Sequence, residues 1–352
     1  MTSITVRLSR PYDVLIAPGL LDRAGELLRP LAKSDRAALI CGDLVYPLYA
    51  DRAVRALEGA GFRVCIKVIP HGETHKNLST YAGILSFLEE NELGRDDLIV
   101  ALGGGVTGDL AGFAAASWHR GCPFVQIPTT LLAAVDASVG GKSAIDLPGG
   151  KNQVGFFYQP LAVLCDPELF ATLPPRELRC GLAEVVKTAV LFDRPLFDSL
   201  RGGYESERAE ELVARCVSHK RLLVERDEFD RGERRLLNLG HSFGHAIERR
   251  SAYALSHGEA VAIGMSMIAR AAAKRALCTA ETAEEIVSLL RTLGLPTDCP
   301  FPAVELLETL RHDKKRSADT LRLVVPREIG RCELLEVSLA ELPGWLRDGG
   351  VP

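Results

Sequence analysis

The chain has 352 residues, 47% hydrophobic and 25% charged, with a formal net charge of −4; that length is enough for about two domains with cores of their own, and the charge gives no electrostatic basis for a nucleic-acid partner. No apolar run reaches the roughly 18 residues of a spanning helix, and Met1–Arg7 lacks the basic-then-apolar order of a signal peptide. The 9 cysteines form no CxxC pair and read as reduced thiols, so the expected location is the cytoplasm, with neither membrane nor nucleic acid as partner.

Strands are expected at Ile4–Leu8 and Tyr12–Ile16, followed by a helix over Leu20–Leu28. Arg36–Cys41 is a buried-strand run ending at Gly42-Asp43. An aspartate just past a strand's carboxyl end either accepts from a ribose hydroxyl or caps a helix. A helix over 47–60, a strand Arg63–Ile69, a turn from Pro70 to Lys76 and a helix over 78–91 come next. Leu98-Ile99-Val100-Ala101-Leu102 then reads as a strand buried on both faces, running into Gly103-Gly104-Gly105-Val106-Thr107-Gly108-Asp109 and a small-residue helix from about Leu110 to Trp118. That order makes an anion cradle, because glycines let the backbone approach a pyrophosphate and the N–H groups of the helix's first turn point at it. A plain tight turn would carry the glycine triplet as well, so the surrounding residues matter. The strand Phe124–Pro128 delivers Thr129, Thr130, Asp136, Lys142, Lys151 and Asn152, hydroxyls, a carboxylate, ammonium groups and an amide leaving one strand end. Strands alternating with helices up to Ala162–Cys165 point to a parallel, doubly wound sheet with ligands outside the strands' carboxyl ends.

The pattern changes near residue 170. The run from Thr172 to Glu177 reads as a loop and helix start, and helices are expected over 176–190, 194–200, 207–226, 233–250, 257–277, 281–293 and 303–311. An extended segment, Thr320–Val325, and a helix over 339–347 close the chain. The expected organisation is a Rossmann-like, parallel-sheet α/β nucleotide-binding domain over 1–170 and a mostly α-helical metal- and substrate-binding domain over 171–352. In the helical half Glu184 and Lys187 lie one turn apart, the spacing of an ordinary salt bridge. His241 and His245 share one helix face, and His257 opens the next helix. A lone histidine in such a place is more often structural. Three close together, with a carboxylate, suit a divalent ion such as zinc, and on the residues alone His241 with His245 is as good a pair of ligands as any.

The run GGGVTGDLAGFAAASWHRG, the run IPTTLLAAVDASVGGKSAIDLPGGKN and the later histidine motifs closely resemble the 3-dehydroquinate synthase family, over most of the chain. The resemblance implies an NAD- and metal-dependent cyclase of the shikimate pathway, which serves aromatic amino acid biosynthesis. It implies NAD contacts at Asp43, Glu73, Lys76, Gly104, Gly105, Val106, Asp109, Thr129, Thr130, Asp136, Lys142, Lys151 and Thr172. Zinc or cobalt would be held by Glu184, His241 and His257, leaving His245 for the substrate phosphate. The implied substrate contacts are Asp136, Lys142, Asn152, Lys187, Lys220, Arg234, Asn238, His245 and one of Lys314 and Lys315, with Lys142, Asn152, Lys187 and His245 catalytic. Arg120 matches an arginine that the family presents to the phosphate across a homodimer interface. The chain departs from the common pattern at Ala137-Ser138, where Ser-Ser is frequent, and at Ser242, where threonine is.

The substrate so implied is 3-deoxy-D-arabino-heptulosonate 7-phosphate. Oxidation at C5 by a recycled NAD, phosphate elimination, reduction and aldol closure give 3-dehydroquinate, a carbon–oxygen lyase reaction. Three rival readings make different demands. A cyclase for a heptulose phosphate lacking the carboxylate has less need of Lys220 with Arg234. A metal-dependent polyol dehydrogenase releases reduced cofactor and needs fewer phosphate-directed cations. A non-catalytic NAD-binding regulator would lose a metal ligand or Lys142, and all are present.

Overall fold

Apolar runs without alternation, such as Leu98–Gly103, belong in strands covered on both faces, and that is where they fall. The structure, a computed structural model, describes residues 1–312 and 320–351, so Lys314 and Lys315 lie outside the described residues. The first unit comprises Met1–Leu173 and Glu207–Phe229. Its strands β1 (Thr2–Val6), β2 (Tyr12–Ile16), β3 (Arg36–Gly42), β4 (Arg63–Ile69), β5 (Leu98–Gly103) and β6 (Phe124–Pro128) are joined, after a separate hairpin of β7 (Lys142–Leu147) and β8 (Gly150–Phe157), by β9 (Ala162–Cys165). The 7-stranded sheet has the order β1-β2-β9-β6-β5-β3-β4. Only the β1–β2 pair is antiparallel.

Successive residues of the central strands feed opposite cores. Leu39, Cys41, Val100 and Leu102 pack with Ala24 and Leu28 of α1 (Ala24–Leu28) and Ala53 and Leu57 of α2 (Asp51–Gly59). Ala38, Ile40, Ile99 and Ala101 pack with Ile84 and Leu88 of α3 (Leu78–Glu90) and Leu110, Ala111 and Ala114 of α4 (Gly105–Ser117). From β3 the chain passes to β4 on one side and then to β5 on the other. The strand order therefore reverses between β3 and β5, and the carboxyl ends at Gly42-Asp43 and Gly103-Gly104 border the crevice where open α/β sheets take ligands.

The second unit, Pro174–Ser206 with Asp230–Pro352, begins with α5 (Pro175–Phe192) and α6 (Arg194–Ser199). The chain then returns to the first unit as α7 (Ala209–Arg226), packed along β1, β2 and the turn 133–137. The second unit resumes with α8 (His241–Arg250), α9 (His257–Lys274), α10 (Ala280–Thr292), α11 (Ala303–His312), the antiparallel hairpin β10 (Thr320–Glu328) and β11 (Arg331–Ser338), and α12 (Leu342–Asp348). Every residue of α9 from Ala260 to Ala269 is buried, the state of a helix apolar all round, and α5, α8, α10 and α12 pack on it.

Six expectations are corrected. The division at 170 falls after Leu173, and α7, expected in the helical domain, belongs with the first unit. α4 starts at Gly105 and not near Leu110, so Gly105–Gly108 form the helix's first turn, with Gly104 as N-cap. The segment 142–157 is a hairpin, and β11 was not expected. The helix expected over 233–250 is a 3-10 turn, Glu233–Asn238, and a separate α8; Gly240 between them has φ +78°, a left-handed conformation that suits glycine and ends the first piece. Among the described residues no helix is long and apolar enough to cross a membrane.

Candidate metal centre and nucleotide crevice

At the carboxyl end of β5 the first-turn N–H groups of α4, which a helix cannot satisfy internally, lie at the crevice. Beside them the Thr129 N–H donates to Gly103 O at 3.0 Å. The Thr129 hydroxyl is buried and has no hydrogen-bond partner among the described residues. Buried polar groups are nearly always satisfied, so this hydroxyl fits a site for a polar ligand such as a dinucleotide. Thr130 Oγ1 accepts from the Ala133 N–H at 3.2 Å. Asp43 Oδ1 accepts from the N–H groups of Leu44 (2.8 Å) and His71 (3.1 Å) and lies 2.9 Å from His71 Nδ1. It ties the ends of β3 and β4 together and is not a helix cap.

A charged cluster stands at the far end of the hairpin. Lys76 Nζ lies 2.5 Å from both Asp109 Oδ2 and Asn152 Oδ1, and Lys151 Nζ lies 3.0 Å from Glu73 Oε1. Burial works against the Lys76 ammonium, but the Asp109 and Glu73 carboxylates outweigh it and raise its pKa. Asn152 has φ +52° and is held by its N–H donating to Asp146 Oδ1 at 2.8 Å. Lys220 of α7 donates to Asp136 O at 2.6 Å and pairs with the Asp136 carboxylate. The Thr172 hydroxyl is 2.6 Å from Tyr49 OH. Lys142 opens β7. Arg120 follows the carboxyl end of α4, about 18 Å along that helix from the glycine turn at 1.5 Å per residue.

In the second unit three helices each deliver one group. Glu184 of α5 is fully buried, and His241 and His257 are the first residues of α8 and α9. Glu184 Oε1 lies 3.4 Å from His257 Nε2 and 3.7 Å from His241 Nε2, and one ligand atom from each residue lies within 4.8 Å of the others. Local structure accounts for the meeting. Gly240 turns the chain so that α8 begins at His241, and α9 crosses there so closely that a Cβ on Gly264 would stand 2.1 Å from Gly240 O. The start of α9 is fixed by a capping box of Ser256 and Glu259. Arg176 of α5 grips the same Glu259 at 3.0 and 2.6 Å and Ala254 O at 2.5 Å, about two turns before Glu184.

His241 Nδ1 lies 3.1 Å from Leu239 O, which places its proton there and leaves Nε2 toward Glu184. Burial pushes the His241 pKa down to about 3, against the Glu184 carboxylate, so the ring is neutral, the form that ligates metals. Burial opposes a charge on His257 too, but hydrogen bonds to Glu184 and Glu248 outweigh it and raise the pKa to about 10, so an ion bound at Nε2 would displace the proton held there against Glu184. Two imidazoles and a carboxylate leave a fourth position open, as catalytic zinc sites do, and the donor set fits zinc or cobalt.

The second unit thus brings Glu184, His241 and His257 together, with Lys187 paired to Glu184. His245, whose ring centroid is 5.3 Å from that of His241 and 5.9 Å from that of His257, is not within reach of Glu184 in that set and joins Glu248 and His257 in a second group. The alternative pair of His241 with His245 is therefore not the set the fold assembles around Glu184. Arg234 is 2% exposed on the 3-10 turn that packs against α5 and the β10–β11 hairpin, and Asn238 ends that turn. Sequence reasoning missed Glu248, Arg176 and Glu259. For Glu248 the signal was present, since it follows His245 by one helical turn.

The family model described as 3-dehydroquinate synthase N-terminal matches residues 66–180, and the C-terminal one matches residues 181–316. A 3-dehydroquinate synthase of Streptococcus sanguinis (strain SK36) is 43% identical over 344 residues, covering 96% of this chain and 97% of that one. The chain belongs to the 3-dehydroquinate synthase family. Within this enzyme family's two parts, the join between the models falls inside α5, seven residues past the unit boundary at 173. A solved 2-deoxy-scyllo-inosose synthase, complexed with carbaglucose-6-phosphate, NAD+ and Co2+, has a TM-score of 0.89 at 26% identity and covers 99% of this chain and 100% of its own. The 2-epi-5-epi-valiolone synthase of Streptomyces hygroscopicus subsp. jinggangensis 5008, with NAD+ and Zn2+ bound, has a TM-score of 0.88 at 29% identity and covers 99% of both chains. The fold of the 3-dehydroquinate synthase family member described here is thus that of sugar-phosphate cyclases.

Proposed function

We propose that this chain converts 3-deoxy-D-arabino-heptulosonate 7-phosphate to 3-dehydroquinate and inorganic phosphate, with NAD and a zinc or cobalt ion as cofactors. The observation that carries this is the meeting of Glu184, His241 and His257 from three helices in a chain that matches both family models. The NAD+ and Co2+ or Zn2+ of the two solved cyclases support the same pair of cofactors. When bound, the ion supplies Lewis acidity and NAD a reversible hydride acceptor, so that an alcohol can be oxidised and the neighbouring C–H made acidic.

The chain's own residues bind and orient. The α4 N-terminus and Thr129 receive the nucleotide, with Asp43, Glu73, Lys76 and Lys151 around it. The resemblance assigns Lys142, Asn152, Lys187, Lys220, Arg234, Asn238 and His245, with Lys314 or Lys315, to a substrate that carries both a phosphate and a carboxylate. A dianion and a carboxylate together call for several cations. Lys187, Lys220 and Arg234 are buried, where a charge-assisted bond is stronger than in water. Arg234 supplies the planar fork that matches a carboxylate. Holding one reactive pose supplies much of the acceleration, since effective molarities of about 10⁵ M or more are accessible.

Arg234→Ala is expected to cost about 1.5–3 kcal/mol in kcat/KM, the scale of a charge-assisted hydrogen bond. An equal loss on an analogue without the carboxylate would remove Arg234 from that role. The function is tested by offering the protein, with NAD and zinc, the heptulosonate phosphate, a heptulose 7-phosphate and a hexose 6-phosphate. Phosphate release from the first alone is expected. Equal release from the second would assign the chain to another cyclase activity. The assembly proposed is a cytoplasmic homodimer. Its support is Arg120, which sits at the opposite end of α4 from the glycine turn and would serve the partner's substrate.

A further inference from the structure

Glu248 lies on α8 and is 2% exposed. Its Oε2 stands 3.0 Å from His245 Nδ1 and 3.3 Å from His257 Nδ1. An ionised carboxylate only accepts hydrogen bonds, so each Nδ1 that faces it carries the proton and each Nε2 is turned the other way. For His257 that other nitrogen is the one 3.4 Å from Glu184. Burying a carboxylate is costly unless polar partners compensate, and these two N–H groups are partners that an apolar residue could not use. The remaining buried side chains of this helix, His241 apart, are Phe243, Ala246 and Ile247, so packing alone gives no reason for an acid here.

We propose that Glu248 is the positioning residue of the metal centre. It fixes the tautomer and ring orientation of His257 so that Nε2 is presented to the ion, as carboxylates behind ligating histidines do. Because the same oxygen also holds His245, whose side chain is 43% exposed, it links the ligand to the histidine assigned to the substrate phosphate. This inference rests on the reading of Glu184, His241 and His257 as ligands, and the test separates the two.

The full chain is titrated with Co2+ in competition with a chromophoric chelator, and the visible absorption of the bound ion is recorded, for wild type, Glu248→Ala, Glu248→Gln and Glu184→Ala. Far-UV circular dichroism and NAD binding report folding. Glu248→Ala is expected to weaken Co2+ about 10–100-fold, the range seen when a carboxylate behind a ligating histidine is removed, and to shift the absorption bands. Glu248→Gln keeps the volume and one acceptor oxygen and is expected to fall between Glu248→Ala and wild type. It decides the matter if the alanine variant is unfolded. Wild-type affinity and spectrum in the folded Glu248 variants, with the ion lost in Glu184→Ala, overturn this inference alone. A wild type that binds no Co2+, or binds it equally after Glu184→Ala, overturns the metal reading and this inference with it.

Discussion

His257→Ala is expected to abolish phosphate release, by about 10³-fold or more, while NAD binds with its wild-type affinity. His257 Nε2 lies against Glu184, and truncation leaves two donors where three are needed. An ion in such a site supplies several kcal/mol of charge stabilisation, and each 1.4 kcal/mol or so is tenfold in rate. The residues proposed to contact the nucleotide belong to the first unit and His257 to the second, so dinucleotide affinity is expected to survive. Metal content after dialysis, kcat and the Kd for NAD check the three parts together. Wild-type turnover with stoichiometric metal would remove His257 from the ligand set.

Gly264→Ala is expected to destabilise the second unit by about 3 kcal/mol, the upper range for overpacking, and to lower metal affinity with it. The added methyl would stand 2.1 Å from Gly240 O and 3.0 Å from Gly244 N. Both are backbone atoms at the start of α8, so relief requires α8 to move away from α9, and those two helices carry His241 and His257. Gly83→Ala is the control. It lies inside α3 with open space around the added carbon, and is expected to stabilise by about 0.5–1 kcal/mol through the unfolded chain. Denaturant melts with metal analysis check both. A Gly264→Ala protein as stable as wild type would mean that the helix crossing does not set the ligand geometry.

The strands of the sheet were legible because burial on both faces leaves unbroken runs such as Leu98–Leu102. The true start of α4 was not, since the small residues of Gly105–Asp109 read equally as loop and helix. The hairpin 142–157 escaped although its pairing is local, Lys142 with Phe157 down to Leu147 with Gly150, because β8 is exposed along most of its length and carries no apolar alternation. Amphipathic spacing identifies a helix but says nothing of which core it covers, so the place of α7 in the first unit, against β1, β2 and the turn 133–137, was not legible. The three residues proposed as ligands came from the family resemblance, and spacing alone favoured His245 equally. Lys220 and Asp136, 84 positions apart, had no local signal of their pairing.

The most direct measurement is the number of turnovers each NAD supports. Zinc-loaded protein with a single equivalent of NAD is given excess heptulosonate phosphate, and inorganic phosphate and NADH absorbance are followed together. The account predicts phosphate far in excess of NAD and no net NADH. Phosphate release that stops at the amount of NAD present, or NADH accumulating as substrate is consumed, would contradict it.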